Sequence, residues 1–137
     1  MADTRNALLA LVTTFLLVAA PVQIARAASM QETKVRLQSD LQKHIYRSLV
    51  DGAYHTLDSK SGEVRELFPR VSHPMILKMG KYYVMCADFR DAAGNDVDVD
   101  FYLIKRERGG FQVFRAEIDN HELLEDLMKA GKVQVFQ

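Results

Sequence analysis

The chain has 137 residues, and its 18 Lys and Arg residues are balanced by 18 Asp and Glu residues. A formal net charge of zero argues against a protein that binds nucleic acid or an anionic membrane through its overall charge. The single cysteine, Cys86, cannot form an internal disulfide, so an apolar core has to stabilise the fold.

The N-terminal residues predict a cleaved secretory signal. Arg5 provides a positive start, and Ala7–Ala20 is an apolar run that Pro21 interrupts. The run Ala25-Arg26-Ala27 has small residues at the two positions that a signal peptidase reads. The apolar run is shorter than the roughly 20 residues that span a bilayer as a helix, and an uncleaved N-terminal anchor is the alternative. We therefore expect cleavage of residues 1–27 before Ala28, and export to the periplasm or secretion. Residues 28–137 are expected to form one domain without an integral membrane span.

A first helix is predicted over residues 30–50. Ser29 and Glu32 have the spacing of a capping box, and Gly52 can end the helix in a left-handed conformation. Apolar residues recur on one side of this helix: Val35, Leu37, Leu41, Ile45, Tyr46 and Leu49. We expect this side to pack on the rest of the domain.

Runs that favour strands follow the helix. Residues 53–57 and 64–68 flank a polar turn and predict a hairpin, which Pro69 ends because proline has no amide to donate. The run His73–Met79 fits either a short strand or an irregular segment. Rich in β-branched and aromatic residues, the runs 82–89, 97–104 and 111–118 predict an antiparallel meander.

The C-terminal residues predict a second helix and a short last strand. The helix is expected over His121–Ala130 with Leu123, Leu124, Leu127 and Met128 on its buried side, and the strand over Val133–Phe136. The fold class is therefore α+β: an N-terminal helix packed on a curved antiparallel sheet, with a short C-terminal helix. This order of elements resembles the cystatin-like and NTF2-like rolls, in which a curved sheet wraps a helix. Those rolls include binding modules, inhibitors and enzymes, so the resemblance implies a fold and no specific activity.

The two faces of the meander differ in composition. Symmetric turns would place Cys86 opposite Phe101, Val84 opposite Leu103, and Leu103 near Phe114. One face would then be apolar and would pack on the first helix. It would carry Val84, Cys86, Val97, Val99, Phe101, Leu103, Phe114, Ala116 and Ile118.

The other face of the meander is the predicted binding surface. Its candidate residues are Tyr83, Phe89, Asp98, Asp100, Tyr102, Arg115 and Glu117. One interpretation is a solvated face whose charges pair across strands. The others are a shallow pocket with aromatic walls for a small molecule, and a docking surface for another envelope protein.

A second hypothesis concerns soft metal ligands. His73, Met75 and Met79 lie close in sequence to Met85 and Cys86, and imidazole and sulfur ligands suit copper. The methionines can equally be gap-fillers in the core, and the predicted register buries Cys86 as an unreactive thiol.

The sequence contains no recognisable catalytic motif, so no catalytic residue and no cofactor are predicted. We expect a small exported, non-enzymatic binding or accessory domain whose partner is a small molecule or an envelope protein, and not nucleic acid. The alternatives are a copper-binding protein that uses His73 and the methionines, and an enzyme with a cavity of the roll type.

Overall fold

The computed structural model describes the backbone of residues 20–137 and the side chains of residues 26–137. Residues 1–19, which hold most of the predicted signal sequence, lie outside the described residues. The elements in chain order are α1 (Ala20–Arg47), β1 (Leu49–Val50), β2 (Ala53–Leu57), β3 (Val64–Met79), β4 (Tyr82–Asp91), β5 (Asp96–Lys105), β6 (Phe111–Ile118), α2 (His121–Lys129) and β7 (Gln134–Val135). This is the predicted α+β layout.

The strands form one antiparallel sheet in the order β1-β2-β3-β4-β5-β6, and β7 pairs with the far end of β3. The prediction that Pro69 ends a strand was wrong, because β3 runs for 16 residues through both Pro69 and Pro74. Register shifts between Pro69 and Ser72 and between Ser72 and Ile76 accommodate the prolines. Such irregularities are where a strand tolerates a residue without an amide hydrogen.

The helix α1 starts earlier than predicted, so Ser29 lies inside it and forms no capping box. The Ser29 carbonyl accepts a hydrogen bond from the Thr33 hydroxyl instead. Leu37, Leu41 and Ile45 are buried, as the four-residue spacing predicted. Val35 and Tyr46 are exposed. Each residue is rotated by about 100° from the one before it, so these two side chains point away from the row formed by Leu37, Leu41 and Ile45. Leu49 falls in β1.

The predicted register of β4 against β5 was wrong by one residue. Met85 pairs with Phe101 and Ala87 with Val99, so the α1 side of the sheet carries Met85, Ala87 and Phe89 in place of Val84 and Cys86. The cause is the turn after β4. The Asp91 carboxylate accepts hydrogen bonds from the amides of Ala93 and Asn95, and the Asp91 amide donates to the Asn95 carbonyl. The strands therefore close around the three residues 92–94, and not around the four residues that the predicted register requires. A slip of one residue moves every side chain of a strand to the other face.

A β-bulge changes the pairing of β5 with β6. Tyr102 pairs with Arg115 but Leu103 pairs with Val113, which leaves Phe114 as the extra residue. Phe114 therefore leaves the predicted core and lies beside the rings of Tyr82 and Tyr102, at 5.4 and 6.3 Å between centroids. The predicted contact of Leu103 with Phe114 was wrong for this reason.

The sheet face turned away from α1, here called the second face, is partly covered by α2. Leu124 packs with Leu77, Val84, Tyr102 and Val133 in a small second core. The prediction of α2 was correct, although only Leu124 of its predicted apolar side is fully buried while Leu123 and Met128 are exposed. Within residues 20–137, no helix is long and apolar enough to cross a membrane.

Candidate functional site

The structure brings together only part of the predicted binding surface. Asp98, Asp100 and Tyr102 of β5 share the second face with Arg115 and Glu117 of β6, as their pairing requires.

Tyr83 and Phe89 were wrongly placed on this face, because the register of β4 differs from the predicted one. Tyr83 packs on the α1 side against Phe111 and Phe136, and Phe89 is completely buried in the main core. The aromatic walls predicted for the pocket are therefore not formed by these two residues.

Arg115 and Glu117 form an outer ion pair at the edge strand β6. The Arg115 guanidinium donates to one Glu117 oxygen, and the Ser59 hydroxyl donates to the other at 2.9 Å. Because Arg115 is engaged in this way and largely exposed, it does not form an ion pair with Asp98 or Asp100 among the described residues. The acidic residues of β5 have different partners.

Between the second face and α2 lies a cavity of about 210 Å³, here called the α2 cavity. Its walls are apolar where Leu77, Val84, Leu124 and Met128 contribute. Its polar lining consists of His73, Cys86, Asp100, His121 and Glu125, and Met75 completes the lining. Cys86 and His121 were not predicted to meet, and α2 brings them to one place.

Two histidine–aspartate pairs lie side by side at this cavity. Nε2 of His73 is 2.6 Å from Oδ1 of Asp88, and Nε2 of His121 is 2.6 Å from Oδ2 of Asp98. Asp88 and Asp98 are direct cross-strand partners, an arrangement of like charges that is unfavourable unless cationic groups compensate it. The hydrogen bond from His121 lowers the pKa of Asp98 and raises the pKa of His121.

Half-buried Cys86 and buried Asp100 lie at the centre of the cluster. They are cross-strand partners, and Asp100 is only 2% exposed. Its Oδ2 atom has no hydrogen-bond partner among the described residues. Burial raises the pKa of the Asp100 carboxyl, and burial together with Asp100, Asp98 and Asp88 raises the pKa of the Cys86 thiol. A buried acceptor without a partner is rare and has to be explained.

The atoms available as metal ligands are close together here. A ring nitrogen of His73, Sγ of Cys86 and a carboxylate oxygen of Asp98 all lie within 4.8 Å of one another. Zinc binds nitrogen and oxygen at about 2.0–2.2 Å and sulfur at about 2.3 Å, so its tetrahedral ligands lie about 3.5 Å apart. The three side chains therefore need to close by roughly 1.3 Å at most to hold such an ion.

The predicted copper ligands are only partly brought to this cluster. His73 and Met75 line the α2 cavity. Met79 does not line it and instead packs against the second core. Asp100 and His121 are better candidates for a fourth zinc ligand than either methionine, because zinc binds carboxylate and imidazole groups.

The same cluster is poorly suited to nucleophilic catalysis. A cysteine nucleophile needs a positive environment that lowers its pKa, whereas burial and three carboxylates raise the pKa of Cys86. The Nε2 atoms of His73 and His121 are both bonded to aspartates, so neither is free to accept the thiol proton through that atom. The cluster instead offers three kinds of metal-ligand atom at one place: a ring nitrogen, a sulfur and a carboxylate oxygen.

In comparisons with known proteins, no family model, curated protein or solved structure matches the chain.

Asp88, His121 and the role of Cys86 were missed by sequence reasoning. The available signal was the turn Asp91-Ala-Ala-Gly-Asn95, in which the aspartate side chain can accept hydrogen bonds from amides two and four residues later. Recognising that capped turn would have shifted the register and placed Cys86 and Asp88 on the same face as Asp98 and Asp100.

Proposed function

We propose that this domain is a non-enzymatic metal-binding module that holds one zinc-like divalent ion in the α2 cavity. The observation that carries the proposal is the convergence of His73, Cys86 and Asp98 beside the buried Oδ2 of Asp100, for which the described part of the chain provides no hydrogen-bond partner. A bound cation would give Oδ2 a partner and would offset the facing charges of Asp88 and Asp98.

The ligand chemistry favours zinc. A thiolate, an imidazole and a carboxylate are the three ligand types that zinc accepts together, whereas magnesium and calcium prefer oxygen alone. Asp88 and His121 supply the outer layer of hydrogen bonds that orients metal ligands, because Asp88 bonds His73 and His121 bonds Asp98.

Metal titration of the purified protein tests this proposal. We expect one zinc ion per chain by calorimetry. Cobalt should give the strong near-ultraviolet absorption of a thiolate ligand and the visible bands of tetrahedral coordination. Cys86→Ser should abolish the near-ultraviolet band, and Asp98→Asn should weaken binding at least tenfold. The matched control is His55→Gln, because His55 pairs with Glu66 on β2 and β3, outside the cavity. Absence of stoichiometric uptake, or equal binding by all three variants, would exclude the site.

Copper(I) is the second candidate ligand, because Met75 lies at the cavity together with Cys86 and His73. Under reducing conditions, Met75→Leu should weaken copper(I) binding and leave zinc binding unchanged. Met79→Leu is the control, since Met79 lies outside the cavity lining. A protein that binds copper(I) tightly and zinc weakly would reverse the assignment of the ion.

We also propose that the domain works after export, as the sequence of residues 1–27 indicates. The supporting observation is that residues 26–29 are exposed and the first buried residue described in α1 is Leu37. Cleavage before Ala28 would therefore remove no described core residue. Mass spectrometry of protein recovered from a bacterial periplasm should show Ala28 as the first residue, and an intact N-terminus on all recovered protein would contradict export with cleavage.

A further inference from the structure

A second cleft lies on the α1 side of the sheet, between the C-terminal half of α1 and the β5–β6 turn. It measures about 530 Å³ and is lined by four basic side chains, Arg36, Lys43, Arg47 and Arg106. We call it the basic cleft. Positions 36, 40, 43 and 47 follow one line along a helix, so α1 directs three of these basic residues and Asp40 toward the same space.

The basic cleft has more positive charge than its neighbours compensate. Asp40 is the one acidic residue in its lining, which leaves an excess of three positive charges (four minus one). Oδ2 of Asp40 accepts the backbone amide of Phe111 at 2.8 Å, and Oδ1 lies 3.8 Å from Nζ of Lys43. Among residues 26–137, the salt bridges include none to Arg36, Arg47 or Arg106.

The helix dipole of α1 stabilises only some of these positive charges. Cations in the last turn of a helix are favourable, which explains Arg47. Arg36 lies three turns earlier, and Arg106 belongs to the β5–β6 turn, so neither benefits from that end of α1. Lys43 and Arg47 are also four residues apart, a spacing at which like charges repel.

We propose that the basic cleft binds a phosphate-type oxyanion. Arginine guanidinium groups pair with phosphate oxygens through parallel hydrogen bonds, and the cleft draws its arginines from two elements, α1 and the β5–β6 turn. Ser48 and Gln112 add neutral polar groups to the lining. The volume admits a diphosphate or a phosphorylated small molecule as well as a single phosphate. This site is independent of the α2 cavity, because it lies on the opposite side of the sheet.

The test is a titration of isotope-labelled protein with inorganic phosphate and with pyrophosphate, followed by NMR in the presence of a chelator. Sodium chloride at matched ionic strength is the reference. We expect saturable shifts at the amides of His44, Phe111 and Gln112, with pyrophosphate binding at least tenfold more tightly than phosphate. The double variant Arg47→Gln/Arg106→Gln should lose at least tenfold in affinity. Arg70→Gln is the matched control, because Arg70 is an exposed arginine on β3 outside the cleft.

A second arm distinguishes the source of the phosphate group. Vesicles of phosphatidylglycerol, compared with vesicles of phosphatidylcholine, should not retain the protein if the ligand is a soluble phosphate. Retention that the double variant loses would keep the proposal and identify a lipid headgroup as the source. The proposal fails if the shifts are linear and equal to those in chloride, or if the double variant and Arg70→Gln bind pyrophosphate as the natural protein does. Circular dichroism of the variants establishes that they are folded.

Discussion

Replacing Asp100 by Asn is expected to stabilise the metal-free protein. Asp100 is 2% exposed, and its Oδ2 has no hydrogen-bond partner among the described residues. An unsatisfied buried polar atom costs about 1–3 kcal/mol, and more when it carries charge. Asn keeps one oxygen that can accept from the Cys86 thiol, the partner of the Asp100 side chain, and replaces the other oxygen by an amide group without charge. We expect the free energy of unfolding to rise by about 1–2 kcal/mol.

Urea unfolding followed by circular dichroism and tyrosine fluorescence measures this change, since the chain has five tyrosines and no tryptophan. In a thermal scan the same gain corresponds to a rise of about 4 °C per kcal/mol for a domain of this size. Asp126→Asn is the control, because the Asp126 side chain is 76% exposed in α2. Its effect should stay within about 0.5 kcal/mol.

Zinc should reduce the difference in stability between the natural protein and Asp100→Asn. At a hundredfold excess over its dissociation constant, an ion adds about 2.7 kcal/mol to a protein that binds it. Asp100→Asn should receive less of this stabilisation, since the carboxylate that approaches the ion has lost its charge. If Asp100→Asn is no more stable than the natural protein in chelator, Oδ2 is satisfied in solution and the physical reason given for the site is wrong.

Three further predictions concern the core, the pH dependence of stability and the turn between β5 and β6. Phe101→Ala should lower the free energy of unfolding by about 3–5 kcal/mol, whereas Phe114→Ala, at a residue 52% exposed, should cost about 1 kcal/mol or less; equal costs in urea unfolding would contradict the register. Burial lowers the pKa of His44 below its ordinary value of 6.5, so the folded protein favours the neutral ring. The neutral ring therefore contributes its full stability above pH 6.5, and this contribution is lost as the pH falls from 6.5 toward the pKa of the folded state. Urea unfolding across this pH range should show a smaller loss of stability in His44→Gln than in the natural protein. Gly110→Ala should cost more than Gly94→Ala, because both have positive φ but only at Gly110 would a Cβ lie 3.0 Å from the Asp40 carboxylate. Both should show the left-handed cost of about 1–2 kcal/mol, and equal melting temperatures would contradict the contact with Asp40.

The elements could be predicted from the sequence because their signals are local. The four-residue spacing of Leu37, Leu41 and Ile45 identifies a helix face wherever the helix begins. Glycine and aspartate clusters identify the turns of the meander in the same way. Local patterns are less informative about β3, where two prolines would ordinarily end a strand and the bulges that tolerate them depend on the neighbouring strand β4.

The faces of β4 could not be predicted, for a different reason. Val84 and Cys86 are as apolar as Met85, Ala87 and Phe89, so alternation gives no preference between the two registers. The register depends on the Asp91 turn, and its consequence is large because the candidate site depends on the same choice. Cys86 in the main core would be a small hydrophobic residue, whereas Cys86 on the second face lies beside Asp98 and His73.

The balanced net charge of the chain conceals a separation of charge between the two sides of the sheet. The second face collects Asp88, Asp98 and Asp100, while the basic cleft on the α1 side collects an excess of three positive charges. A net charge of zero therefore argues only against binding through the overall charge. A ligand at contact distance is attracted by the charges within one Debye length, about 10 Å. Two sites of opposite sign in one small domain can be occupied independently. Pyrophosphate affinity should accordingly be the same in chelator and in saturating zinc, and a tenfold change between these conditions would show that the two sites are coupled.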